Sequence, residues 1–424
     1  MVQGEFVIYM RVLILSNIEW ADNNAFGNTM SNLFSGVSDV DIASLYRRSS
    51  LPNNDVCKKY YRISNSSIIK NFFSPQKIGD YFEYSDYKPV TITGNSEKKA
   101  ISFIHKHKLN RIIYFIEDML YDTKKWENNN FKKFINDFNP DIVFSFTKAS
   151  KTHLLFLNII KKYVPDSKIV TFIVDDICSV FSSNKHKKII EEQLKQASKI
   201  YAITPSLKKK YEKLFDVEID ILTKGCDFSF SVTEKQNHTK TIVYAGNLLY
   251  GRDKTLIKLG QEIKLHNDIS KDKLLLKIYS PTVVDTEIIN RMNISGASEF
   301  LGAKSYDEIL KILNSADVVL HVESFEEEQK KVVKHSFSTK ITDCMQSGSV
   351  LFSIGAKGLA SIDISSEIPG TFVAYSYNEI GDVVKKIAGT DLYENAKKIR
   401  EYAIENFAIE KIQEKIITDF KNIL

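Results

Sequence analysis

A chain of 424 residues is longer than one ordinary hydrophobic core supports, which points to two or three domains of roughly 100–200 residues each. The composition, 43% hydrophobic, 11% aromatic and 26% charged with 17 Gly and 8 Pro, excludes a disordered, collagenous or disulfide-built chain. The net charge of +5 is small for this length, and Lys is scattered in pairs such as Lys132-Lys133 and Lys187-Lys188, which argues against nucleic acid as partner. Such pairs still suit an anionic membrane surface, where each Lys near the headgroups contributes roughly 1 kcal/mol. Cys57, Cys178, Cys226 and Cys344 form no C-x-x-C pair and read as buried thiols in a reducing compartment. No run reaches the ~20 apolar residues of a spanning helix, and no export signal is recognisable. Met10 offers a second start just before the first strand, so residues 1–9 receive no role.

In chain order, short β-branched runs alternate with helical patterns, as parallel sheets covered by helices require. The first half offers strands over 11–16, 40–46, 141–146, 168–174 and 199–204, with helices such as THLLFLNIIKKY (152–163) and KKIIEEQLKQA (187–197) between them. The second half repeats the plan with strands over 217–222, 241–246, 274–280, 298–302, 317–322 and 349–354 and a helix over 305–316. Two doubly wound domains in tandem follow, 1–207 and 208–390, with C-terminal helices over 391–424. The Ser/Asn/Tyr-rich stretch 55–110 yields only KPVTITG (88–94) as a candidate strand. HKHKLNRIIYFIEDMLYDTKKW (105–126) sets aromatics beside basic residues and reads either as a helix near a membrane surface or as one packed on its own sheet.

The most informative stretch is HSFSTKITDCMQSGSVLFSIG, from His335 to Gly355. SFSTKITDCMQSG reads as a helix capped by Ser336 or Ser338 and closed by Gly348. Ile341, Cys344 and Met345 fall on one face; Thr339 and Asp343, four apart, share another. Free N–H groups at Ser338 and Thr339, with Lys340 beside them and Asp343 one turn behind, suit a phosphate at the helix start and a ribose hydroxyl at the carboxylate. A plain Ser cap with two surface charges explains the same residues. The acids of FEEEQKKVVKH (325–335) read as a solvated surface, and neither they nor His105 and His107 make a metal-ligand set.

FSTKITDCMQSGSVLFSIGAKG resembles the nucleotide-sugar helix of GT-B retaining glycosyltransferases, family 4 in particular. Thr339 and Lys340 match that family's Ser-Lys, Asp343 its ribose-binding acid, Gly348 its glycine and Val350-Leu351 its strand. Asp stands at 343 where Glu is commoner, Ser349 where Pro is common, and His335 where the family's earlier acid falls. Glu323 or Glu326–Glu328 are the alternatives for that acid. VEIDILTKGCDFSF (217–230) resembles the family's interdomain run ending in Asn-Gly-x-Asp, here Lys224-Gly225-Cys226-Asp227. IVYAGNLLYGRDKTLIKL (242–259) resembles the donor-domain strand and glycine loop, with Gly246 at its turn. There Arg252 and Lys254 stand beyond the strand's C-terminal end, where open α/β sheets bind ligands. Cations so placed neutralise a departing diphosphate. Lys258 is an alternative, but the planar fork of Arg252 better matches phosphate oxygens. In the first domain, Gly27-Asn28-Thr29 resembles the loop that faces the donor across the cleft, and Asp175-Asp176 stands where relatives touch sugar or acceptor. An Asp capping the next helix explains the latter equally well.

The resemblance implies two Rossmann-like parallel-sheet domains facing across a cleft, the C-terminal helices crossing back to the first. It implies transfer of a sugar, with retention, from a UDP- or GDP-linked donor to a glycan or lipid-linked acceptor, without cofactor or metal. Arg252, Lys254 and Asp176 would act in catalysis; Gly246, Glu323, Ser338, Thr339, Lys340 and Asp343 would bind donor; Gly27, Asn28, Thr29 and Asp175 would line the acceptor side. The setting implied is bacterial surface-polysaccharide synthesis in the cytoplasm, with peripheral contact at the inner membrane face. A GT-B nucleotide-sugar epimerase and a non-catalytic nucleotide-sugar-binding protein of the same fold are the alternatives.

Overall fold

The structure is a computed structural model and describes residues 9–22, 24–73, 77–86, 118–235 and 239–424. The chain forms two compact units. One holds the chain to Ile203 with Lys208–Leu222 and Gln413–Leu424; the other holds Thr204–Leu207 and Thr223–Ile412.

The first unit is built on β1 (Met10–Leu15), β2 (Val40–Tyr46), β3 (Lys59–Arg62), β4 (Asp80–Glu83), β5 (Ile142–Phe146), β6 (Lys168–Ile173), β7 (Ala197–Ala202) and β8 (Asp220–Ile221). Their spatial order is β4-β3-β2-β1-β5-β6-β7-β8. All pairs are parallel except β3 with β4. The inner strands read as continuous apolar runs because helices bury both faces; every residue of β5 is buried. Helix Asn129–Phe138 carries Phe131 into a cluster in which Trp126 and Phe156 have ring centroids 4.1 Å apart. The last helix, Ile409–Ile423, begins in the second unit and ends in the first, where the Phe420 ring lies 6.3 Å from that of Phe144 and Asp419 accepts from the Tyr201 hydroxyl at 2.7 Å.

The second unit is a six-stranded parallel sheet of β9 (Thr239–Ala245), β10 (Lys273–Tyr279), β11 (Ser298–Gly302), β12 (Val318–Val322), β13 (Val350–Ile354) and β14 (Phe372–Ala374), in the order β11-β10-β9-β12-β13-β14. In each sheet the first strand has a later and a much later neighbour, β2 and β5 around β1, β10 and β12 around β9. There the strand order reverses and the loops at the carboxyl ends diverge, which opens a crevice for ligands.

Five elements differ from the sequence reading. VEIDIL contributes only Asp220–Ile221, and it extends the first sheet, with Asp220 opposite Tyr201. The short strands β3, β4 and β14 carry too few alternating residues to register in the pattern. The helix of the 335–355 stretch is only Lys340–Gln346. KPVTITG and His105 and His107 lie outside the described residues. All four cysteines are free and buried. Among the described residues no helix is long and apolar enough to cross a membrane.

Candidate functional site

The carboxyl end of the second sheet gathers most of the residues singled out as donor-binding. Directly after β12 comes Glu323, 3% exposed, and across the reversal point Arg252 opens helix Arg252–Ile269, 9% exposed. The guanidinium meets the carboxylate fork to fork. Nη2 donates to Oε1 at 3.0 Å and to Oε2 at 2.9 Å, and Nε donates to Oε2 at 3.1 Å and to the Val322 carbonyl at 3.0 Å. Nη1 donates to Asn247 Oδ1 at 2.7 Å. Two buried charges so paired are held in fixed geometry, because any rotation would strand one of them in a medium that solvates it poorly. The turn into this helix places Tyr250 at φ 61° and Gly251 at φ 74°. A bulky residue in the left-handed region is uncommon and marks a turn held by its surroundings.

Lys340 lies beside this pair. Its side chain crosses the turn at Gly246, and the ammonium sits 5.7 Å from the centre of the Tyr244 ring. Among the described residues Nζ makes no hydrogen bond and no ion pair. Burial, and then the charge of Arg252, push its pKa down to about 8, with Glu323 pulling the other way. The neighbouring His321 is 3% exposed, its Nε2 has no hydrogen-bond partner, and burial with Arg252 and Lys340 pushes it to about 3, so it is neutral.

Asp343 is on the same short helix but faces a different partner. Its Oδ1 accepts from Lys224 Nζ at 2.6 Å and from the Tyr306 hydroxyl at 3.2 Å. A small cavity of about 30 Å³ opens there, lined in part by Tyr306, Ile309, Leu310, Lys340 and Asp343. The sequence pattern gives Lys224 only as a motif position, because a partner 119 residues from Asp343 leaves no local signal.

The helix start is built differently from the capping expected. Thr339 is the N-cap and makes no side-chain capping bond. The Ser338 amide donates to Ser361 Oγ at 2.9 Å, so that amide is committed inside the protein. Those of Thr339 and Lys340 form no hydrogen bond among the described residues. Gly348, at φ 77°, ends the helix, and a Cβ there would stand 2.7 Å from the Ser231 carbonyl oxygen. Lys254 is exposed and ion-paired with Glu326 at the rim, and Lys258 pairs along its own helix with Glu262 at 2.6 Å.

The remaining positions belong to the first unit. Helix Ala25–Phe34 starts earlier than expected, capped by Asn24, whose Oδ1 accepts from the Gly27 amide at 2.7 Å. A Cβ on Gly27 would fall 2.1 Å from the Ala21 carbonyl oxygen, so only glycine lets the helix approach that backbone. Asn28 is half-buried, and Thr29 returns its hydroxyl to Ala25 O at 2.8 Å. Asp175 is exposed. Asp176 is buried: it caps helix Ile177–Val180, accepts from Ser179 Oγ at 2.5 Å and pairs with Lys210 Nζ at 2.5 Å. Among the described residues no group of three His, Cys, Asp or Glu could hold a metal ion.

No family model matches the chain, and no curated protein matches its sequence. Solved structures do match in shape. HepE from Anabaena, in complex with UDP and glucose, has a TM-score of 0.63 at 10% identity, covering 97% of this chain and 100% of that one. The N-terminal domain of Candida albicans trehalose-6-phosphate phosphatase has 0.63 at 12%, covering 99% and 98%. An α,α-trehalose-phosphate synthase (UDP-forming) from Burkholderia vietnamiensis has 0.58 at 9%, covering 97% and 100%. The chain has the GT-B fold: two parallel-sheet α/β domains with C-terminal helices.

Proposed function

We propose that the chain is a retaining glycosyltransferase, similar to family 4, whose second domain holds a nucleotide sugar by its diphosphate. The observation that carries this reading is Lys340: a half-buried ammonium without hydrogen bond or ion pair among the described residues, its pKa already lowered, beside an arginine whose own charge Glu323 balances. Such a cation is stabilised by an anion and by little else within reach. The free amides of Thr339 and Lys340 add two donors at the same point.

In this reading Lys340 binds the diphosphate directly, and Arg252, fixed by Glu323, contributes its remaining N–H and its field as negative charge builds on the leaving group. Asp343, held by Lys224 and Tyr306, accepts a hydrogen bond from a ribose hydroxyl of the nucleotide. UDP is the first choice of nucleotide because HepE is bound to it, with GDP the alternative. No metal or cofactor enters the scheme, since cationic side chains do the neutralising. The acceptor is a glycan or lipid-linked sugar bound by the first domain, in the assembly of a bacterial surface polysaccharide at the cytoplasmic side of the membrane.

The test is thermal stability of wild type and Lys340→Ala against UDP, GDP and their sugars. A ligand that binds only the folded state adds roughly 2.7 kcal/mol at a hundred times its dissociation constant. Stabilisation of wild type by one nucleotide, and much less of the variant, supports the donor site. No stabilisation by any nucleotide at millimolar concentration sinks it.

A further inference from the structure

The amino ends of β1, β2 and β3 form the edge of the first sheet opposite its reversal-point crevice. Alternation along the strands puts Arg11, Asp41 and Lys59 two residues before Leu13, Ala43 and Tyr61, on the face that those three bury in a core with Phe134 and Phe138 of helix Asn129–Phe138. The apolar core stops at this edge, and the same face continues as charge. Arg11 and Asp41 are register partners, and a cavity of about 490 Å³ opens beside them, bounded by the helix and by Tyr81 of β4. That volume lies within the range of small-ligand pockets, roughly 300–1,000 Å³.

Most of the charge here is already paired. Arg11 Nη2 donates to Asp141 Oδ1 at 2.7 Å, Lys59 Nζ pairs with Asp41 Oδ2 at 2.5 Å, and Lys77 Nζ stands 3.6 Å from Asp80 Oδ1. What is left over lies on the helix. Asn130, Lys133 and Asp137 line the cavity and are exposed, and their side chains make no hydrogen bond or ion pair among the described residues. At i, i+3 and i+7 they form one stripe about 10 Å long, offering an amide, a cation and an anion in turn.

Beside the stripe the lining is aromatic. The rings of Phe134 and Phe138 are 8° from parallel with centroids 6.3 Å apart, and the Tyr81 ring, 50% exposed, stands 5.9 Å from that of Phe134. The Tyr81 hydroxyl donates to Glu83 Oε1 at 2.8 Å. A neutral saccharide fits this combination: its hydroxyls use donors and acceptors together, and the C–H face of a sugar ring covers an aromatic face. An anion would find three of the four lining cations already paired, and an apolar ligand would strand the amide, ammonium and carboxylate of the stripe.

We propose that this cavity binds a short run of neutral sugar rings, away from the site of transfer. β1 spans six residues, so the cavity lies on the order of 15 Å from the crevice at the carboxyl ends, and a sugar held here is anchored without being transformed. That the saccharide belongs to the acceptor or product glycan rests on the glycosyltransferase reading; that the cavity takes neutral sugar does not.

Ligand-observed NMR on the full chain tests this with maltotriose, cellotriose and triacetylchitotriose, and with trigalacturonate as the anionic control. The expected result is saturable binding of at least one neutral trisaccharide at millimolar concentration, weakened at least tenfold in Tyr81→Ala and in Asp137→Ala. Asp137 is exposed and unpaired, so its variant should melt with wild type and decides the matter even where Tyr81→Ala is unstable. No binding of any neutral trisaccharide, binding unchanged in either folded variant, or tighter binding of trigalacturonate than of every neutral probe overturns the proposal. UDP titrated into the same samples separates the two readings. UDP binding without saccharide binding sinks only the sugar site, and saccharide binding that depends on Asp137, without UDP binding, sinks only the donor site.

Discussion

A Cβ added to Gly246 would stand 2.2 Å from Nζ of Lys340 and 2.9 Å from the hydroxyl of Tyr244. The glycine thus leaves the volume that the ammonium occupies at the carboxyl end of β9. Because Nζ is the far end of a flexible chain, Gly246→Ala is expected to displace it at little cost to folding. The variant should unfold within a few degrees of wild type yet bind UDP at least tenfold more weakly by calorimetry. Unchanged UDP affinity would mean that the ammonium's position at this turn is irrelevant to nucleotide binding.

Lys340 also sets a pH dependence. With its pKa near 8, the ammonium loses its proton as pH rises through that value, whereas in the unfolded chain it keeps it to about 10.4. Between those limits the unfolded state binds more protons, so this group makes stability rise with pH in the unliganded protein. Nucleotide binding runs the opposite way, since the anion needs the charged form. UDP affinity should fall between pH 7.5 and about 9, and Lys340→Arg, charged throughout, should flatten the profile.

The parallel strands were legible because burial on both faces turns them into unbroken apolar runs such as IVFSF and VLFSI. The residues at their carboxyl ends were legible for the same reason: once a strand's end is known, the loop after it is where Arg252, Glu323 and Lys340 must be sought. What could not be read was pairing across sequence. Ser338 looked like a cap, but Ser361 takes its amide; Asp343 looked open to a ribose, but Lys224 and Tyr306 reach it. Strands β3 and β4 escaped because KYYR and DYFE are only four residues long, with two adjacent buried residues in the first and none in the second, too few to reveal a period.

The buried pair of Arg252 and Glu323 makes a double prediction. Removing only the carboxylate in Glu323→Ala leaves a buried guanidinium with the Asn247 amide and one carbonyl, and should cost about 3 kcal/mol in urea unfolding. Replacing both, Arg252→Met with Glu323→Leu, removes the stranded charge and should cost less than that single change. The double variant should still lose UDP affinity. A double variant less stable than Glu323→Ala would show that side-chain packing, rather than the uncompensated charge, dominates at this point.

Asp176 allows its two readings to be separated. Its carboxylate accepts from the Ser179 amide and hydroxyl and from Lys210 Nζ, so it is committed to holding helix Ile177–Val180 in place. Losing a capping carboxylate costs about 1 kcal/mol, and Lys210 loses its buried partner besides. Asp176→Ala should therefore lower the unfolding midpoint, and Lys210→Met should lower it by a comparable amount. A group that moved a proton in the reaction would contribute roughly 10²–10⁴-fold to the rate. Sugar transfer by Asp176→Ala, assayed well below its midpoint, is expected to fall less than tenfold. A hundredfold loss at unchanged stability would instead return this carboxylate to the chemistry.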